Sequence, residues 1–169
     1  MAGSPTHNRE AEFTEFVESA SLYLTRTAYL LCGDEETARD LVQEALARTY
    51  AVWWRVRPAD ARAYARRILV NLNIERYRKP AAVPHASVDG VARDDAERRV
   101  DDRDEVQRML AALAPQQRRV IVLRYFSDLS EAEVARCLGI STGSVKSSCS
   151  RGLVALRAAV APVMEGDGR

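Results

Sequence analysis

Apolar side chains recur every three or four residues along most of this chain, and no stretch shows the two-residue alternation of a half-buried strand. Phe13, Phe16/Val17, Ala20, Leu24, Ala28 and Leu31 mark one apolar face of a helix from Glu10 to Leu31. Gly33-Asp34 interrupts it. Asp34 then suits the N-cap of a second helix, with Glu35 and Glu36 in the first turn, where the helix dipole favours negative charge. That helix carries Ala38, Leu41/Val42, Ala45/Leu46, Thr49 and Val52/Trp53 on one face, and Asp40, Gln43, Glu44 and Arg48 on the other. After a loop around Pro58, a third helix from Asp60 to Arg78 turns Ala61, Tyr64/Ala65, Ile68, Leu72 and Ile74 inward.

The period stops at Lys79. The stretch KPAAVPHASVDGVARDDAERR has two prolines, a glycine and no apolar repeat, which reads as a flexible linker. Helical spacing resumes with Val106, Met109, Leu110 and Leu113. Pro115 fits a first helical turn, and Val120, Ile121, Leu123 and Tyr125-Phe126 follow. Ser130 and Glu133 form a capping-box pattern ahead of a helix ending near Leu138. The expected fold is all-α: two small helical bundles joined by a flexible linker, the C-terminal one holding a helix-turn-helix. The boundaries read as 10–79, linker 80–103, and 104–160; a chain of 169 residues accommodates two small domains.

Net charge is only +1, so this is no uniformly basic nucleic-acid coat. The charge is patchy. Ala59 to Lys79 sums to +4, while Asp34 to Glu44 and Asp94 to Glu105 each sum to −4. Such patches are either scattered solvated charge or separate partner surfaces. Cys32, Cys137 and Cys149 are isolated, and His7 and His85 lie in polar flanks, so neither a metal site nor a cofactor is expected. Scattered thiols in odd number fit a reducing cytoplasm. No signal core or membrane-spanning run is readable, so no membrane contact is expected.

From Ser130 to Leu156 the pattern is helix, turn, helix. Gly139 supplies a left-handed turn, Ile140 plugs the corner and Ser141 caps the second helix. Val145, Cys149, Leu153 and Leu156 are expected to face Val134 and Leu138. The other face would present Ser144, Lys146, Ser147, Ser148, Ser150 and Arg151, and Thr142 to Arg157 holds three bases and no acid. A helix that enters a major groove needs short side chains where it sits close and long basic ones where it reaches. An ordinary helical hairpin with a polar outer face is the alternative.

LSEAEVARCLGISTGSVKSSCSRGLVALR resembles the promoter-binding C-terminal domain of extracytoplasmic-function (ECF) sigma factors. DLVQEALARTYAVW is similar to that family's polymerase-binding helix, and ARAYARRILVNLNIERYRK to its promoter-melting helix. With LAPQQRRVIVLRYF, these segments follow the family's order over about residues 12 to 158. The resemblance implies core RNA polymerase and promoter DNA as partners, and admits an anti-sigma factor. It implies that Asp40, Gln43, Glu44 and Arg48 grip the polymerase clamp helices; solvated charge is the plain reading of the same face. It implies that Tyr64 and Asn71 lie near the minus-ten element, where an aromatic can stack on an unpaired base and an amide can bond a flipped one. Arg62, Arg66, Arg67 and Arg76 would hold phosphates. Trp53 and Tyr64 could equally be core aromatics. In the second domain, Ser144, Lys146, Ser147, Ser150 and Arg151 would dock the minus-thirty-five element. The chain departs from the family pattern at Ser148, where a second basic residue is frequent, at Cys149, where a larger aliphatic is usual, and at Val70, where arginine is common.

Two other readings compete. A free-standing helix-turn-helix regulator would explain residues 110 to 158 but not DLVQE followed by a basic aromatic helix. A DNA-processing enzyme would need an activated nucleophile or a carboxylate metal cluster, and neither is readable.

Overall fold

The computed structural model describes residues 5–78 and 95–160, which fall in two compact units. Most of the expected linker, including 80–94, lies outside the described residues.

The first unit is three helices: α1 (Pro5–Cys32), α2 (Glu35–Ala51) and α3 (Ala61–Arg78). Gly33, at φ 80, makes the α1–α2 corner in a left-handed conformation that a Cβ would oppose. Asp34 caps α2 as its type predicts, with a carboxylate oxygen accepting the Thr37 N–H at 2.7 Å. Two short 3-10 turns, Trp53–Arg55 and Pro58–Asp60, join α2 to α3. The core is built largely from small residues, Ala20, Ala28, Ala38, Ala45, Ala61 and Ala65, interleaved with Leu24, Leu31, Leu41 and Leu69. Alanines at helix crossings let backbones approach closely, and the leucines fill the space between. Buried Thr27 and Thr49 spend their hydroxyls on the carbonyls of Tyr23 and Ala45, at 2.8 and 2.7 Å, so neither needs a distant partner.

The inward face of α3 differs from its expected one. Ala61, Ala65, Leu69, Val70 and Asn73 are buried, while Ile68, Leu72 and Ile74 are half-covered. The buried stripe runs 61, 65, 69 and 73, parallel to the Tyr64–Ile68–Leu72 line but one residue, about 100°, further round the helix. Trp53 is a core aromatic at 6% exposure, stacked among Phe13 and Phe16 with ring centroids 5.1 and 5.2 Å away. Tyr64, expected inward beside Ala65, is 40% exposed.

The second unit holds α4 (Asp95–Ala111), α5 (Pro115–Ile121), α6 (Glu131–Leu138) and α7 (Thr142–Val160). A five-residue π-helical turn, Val122–Phe126, continues α5. Helix α4 begins inside the stretch expected as linker up to residue 103. Alanine, glutamate and arginine between Asp95 and Arg103 are good helix formers, a preference that a search for an apolar repeat passes over. Leu110, Leu113, Val120, Ile121, Val122, Leu123, Leu129, Val134 and Val145 form the core. Arg118 is buried too, and its Nη2 donates to Gln107 Oε1 at 2.6 Å, a charge-assisted bond that holds α5 to α4.

Helix α7 packs on a different face from the one its large residues suggest. Val145, Ser148 and Gly152 are buried; Cys149, Leu153 and Leu156 are only half-buried. Ser148 is therefore not part of the outer polar face, being 2% exposed, with Gln116 Nε2 donating to its Oγ at 3.1 Å. A Cβ on Gly152 would lie 3.0 Å from Ile121 Cγ1 and 3.5 Å from Gln117 Cβ. The small pair Ser148 and Gly152 is what allows α5 to lie against α7.

Candidate nucleic-acid interface

The helix-turn-helix is fixed by local bonds at each joint. Ser130 Oγ accepts the Glu133 N–H at 3.3 Å while Glu133 Oε2 accepts the Ser130 N–H at 2.8 Å, a reciprocal capping box. Helix α6 stops at Gly139, at φ 66, and the Ile140 N–H reaches back to the Ala135 carbonyl at 3.1 Å. That six-to-one bond with a left-handed glycine satisfies carbonyls the helix end would leave open. Ser141 Oγ accepts the Ser144 N–H at 3.1 Å and opens α7.

On the outer face of α7, Lys146, Ser147, Ser150 and Arg151 are exposed, and Ser144 is half-covered with its hydroxyl 2.9 Å from that of Ser141. Ser147 turns its hydroxyl onto the Gly143 carbonyl at 3.0 Å, so what it shows outward is little more than a methylene. Arg151 lies back along the helix, Nε donating to the Ser147 carbonyl at 3.3 Å. Lys146 Nζ sits 3.7 Å from Glu131 Oε2, in a pair whose lysine side chain is 68% exposed. An ion pair this open to water holds its lysine weakly, at about 0–1 kcal/mol, and releases it to a stronger anion.

Cys149 lies beside this face. Its Sγ is 3.8 Å from the Tyr125 hydroxyl. That contact first, then loss of hydration, pushes the Tyr125 phenol above its ordinary value, so it is neutral at physiological pH.

In the first unit, Asp40, Gln43, Glu44 and Arg48 all lie exposed on α2, opposite its buried Ala38, Leu41, Val42 and Ala45. Arg48 Nε bonds Glu44 Oε1 at 2.7 Å along the helix. On α3, Arg62, Tyr64, Arg67, Asn71 and Arg76 are exposed. Arg66 stands apart: it is half-buried, with Nη1 donating to the Tyr23 hydroxyl at 3.2 Å. Arg62 lies over the same ring, its guanidinium carbon 5.6 Å from the centroid. In the turn before α3, Arg55 stacks on the exposed Trp54 ring at 4.1 Å.

Each unit gathers its own candidate residues on exposed helical faces. Tyr23 was not picked out from the sequence; its place on the α1 stripe, seven residues after Phe16, is the one signal that it faces a neighbouring helix. Glu131 lies in the first turn of α6, and the closure of the turn brings it beside Lys146.

Among the described residues, no group of three His, Cys, Asp or Glu side chains could hold a metal ion, and no helix is long and apolar enough to cross a membrane.

Residues 16–82 match the family described as Sigma-70 region 2, and residues 103–156 match Sigma-70, region 4. The RNA polymerase sigma-E factor of Streptomyces avermitilis is 40% identical over 156 residues, spanning 89% of this chain and 86% of that protein. The ECF RNA polymerase sigma factor SigW of Bacillus subtilis is 30% identical over 165 residues, spanning 86% of this chain and 87% of that protein. The sigma factor RpoE of Bartonella quintana, solved with the anti-sigma factor NepR, shares the fold at a TM-score of 0.66 and 22% identity, covering 92% of this chain and 98% of that one. On its sequence, the chain belongs to the ECF RNA polymerase sigma factors.

Proposed function

We propose that this chain is a transcription initiation factor that binds core RNA polymerase and directs it to a small set of promoters. The observation that carries the reading is the presence of regions 2 and 4, in that order, on one chain. In this reading the α2 face of Asp40, Gln43, Glu44 and Arg48 meets the polymerase clamp helices. Tyr64 and Asn71 take unpaired or flipped bases of the minus-ten element, and Arg62, Arg66, Arg67 and Arg76 hold its phosphates. The exposed position of Tyr64 supports a stacking role over a core one. Region 4 docks the minus-thirty-five element through Ser144, Lys146, Ser147, Ser150 and Arg151. The first domain runs 10–79, and the second, expected from 104, starts earlier with α4 at Asp95 and runs to 160. RNA synthesis is the polymerase's chemistry, so no residue here is given a catalytic role, and the protein works in the cytoplasm with its polymerase. An anti-sigma factor, the kind of partner named for the Bartonella protein, is a further partner class. A lone helix-turn-helix regulator would leave the α2 and α3 faces without a task.

The test is retention of purified core RNA polymerase by the tagged chain. Co-purification in a fixed ratio supports the reading; a chain that captures DNA but never core would favour the lone regulator.

Within region 4, Lys146 and Arg151 are five residues apart, roughly 140° around the helix, so they cannot both reach the groove floor. Recognition helices enter N-terminal end first, which assigns base edges to Lys146 and backbone phosphate to Arg151 in this reading. Arg151→Ala is expected to weaken binding alike across sequences and to lower the salt slope by about one ion. Lys146→Ala is expected to relax preference at one promoter position by about 1–3 kcal/mol. Binding to promoter variants at several salt concentrations separates the two.

A further inference from the structure

We infer that Tyr23 of α1 is a positioning residue for promoter opening, acting through Arg62 and Arg66 of α3. This rests on the assignment of those arginines to the minus-ten element. One ring serves both: its hydroxyl accepts from Arg66 Nη1 at 3.2 Å, and Arg62 lies 5.6 Å from its centroid. Arg62 and Arg66 are one helical turn apart, so a single side chain from the neighbouring helix sets the direction of two guanidinium groups.

The chemistry of the pair fits guidance better than mere packing. An arginine is long, and holding it in one rotamer before DNA arrives removes an ordering cost from the binding step. The Tyr23 hydroxyl occupies only one Arg66 nitrogen; Nε is buried and turned away from solvent, so a phosphate would be met by the terminal nitrogens of the fork. The guanidinium is therefore aimed but not saturated. A tyrosine keeps that balance because a phenol is neutral and weakly accepting. A carboxylate at the same place would satisfy the arginine and cancel the charge a phosphate needs.

The experiment uses holoenzyme reconstituted from core polymerase and the full chain, on a promoter fragment selected by that holoenzyme from random-sequence DNA. Strand opening is read by the reactivity of unpaired thymines. Core retention and thermal unfolding are measured alongside. Tyr23→Phe keeps the ring and loses the hydroxyl; it is expected to reduce opening roughly tenfold, the scale of ordering one long side chain at the binding step, with core retention unchanged and the unfolding temperature lowered by no more than roughly 5 °C. Tyr23→Leu loses both contacts and is expected to reduce it further. In an Arg66→Ala background, Tyr23→Phe is expected to change nothing more, because the pair acts as one unit.

Additive losses, undiminished opening by Tyr23→Phe, or a fall in stability and core retention matching the fall in opening would each overturn the inference. If Arg62→Ala and Arg66→Ala reduce opening while Tyr23→Phe does not, the minus-ten assignment stands and only this inference fails. If both alanine variants open promoters like the parent, the assignment fails and the inference falls with it.

Discussion

Replacing Asp40 and Glu44 together with arginine is expected to abolish retention of core RNA polymerase while leaving the helical content unchanged. Both side chains are exposed on α2, so neither contributes to the core beneath. Among the described residues, the contact given up inside the chain is the Glu44–Arg48 pair at 2.7 Å, with both side chains about half exposed. An exposed pair four residues apart on a helix contributes about 0.3–0.5 kcal/mol, and the arginine that replaces Glu44 adds a repulsion of similar size. At an interface the arithmetic changes. Placing like charges against a complementary surface costs several kcal/mol, and 3 kcal/mol already lowers affinity by roughly a hundredfold. Pull-down and circular dichroism on the same preparation measure both quantities. Retention at the parent level would remove α2 from the polymerase contact.

The second large effect separates two adjacent serines. Ser148→Arg is expected to unfold region 4, and Ser147→Leu to leave it folded while weakening promoter binding. Ser148 is sealed under Gln116 at 2% exposure. An arginine there would overfill the α5–α7 contact and bury a charge without a partner, mechanisms that cost about 3 kcal/mol or more together. That is a large share of what a small helical domain has. Ser147 is exposed and makes its bond within its own helix, so leucine there should shift stability by no more than about 0.5 kcal/mol. Its bulk would still keep α7 from sitting close in the groove. Thermal unfolding and promoter binding, measured on both variants, decide it. If Ser147→Leu binds like the parent, close approach is not the task of that serine.

These two serines also mark how far the sequence could be read. The helical class, the caps at Asp34 and Ser130, the left-handed Gly139 and the opening of α7 by Ser141 were all legible, because each depends on bonds within a few residues. The polar face of α2, and that of α7 apart from buried Ser148, were legible too, from composition at helical spacing. What failed was rotation. Apolar size pointed to Cys149, Leu153 and Leu156 as the inward line of α7, whereas the close neighbour α5 admits only the small Ser148 and Gly152. On α3 the same error left Tyr64 inside and overlooked buried Asn73. Serine, glycine and alanine carry no strong signal of burial, yet they decide which face of a helix can touch its neighbour. Contacts between distant segments, such as Tyr23 with Arg66 or Glu131 with Lys146, were out of reach for the same reason. The absence of a basic residue at position 148 also takes on a different meaning. In this chain the position faces α5, and a small side chain there is what the α5–α7 packing admits.

A sigma factor of this kind gives core polymerase a choice of promoters. That role is tested most directly by transcribing a fragmented genomic template with core polymerase, with and without this protein, and mapping the RNA starts. A few strong start sites are expected only when the protein is present, each preceded by two short sequence blocks at a fixed separation. Starts indistinguishable from those of core alone would contradict that role.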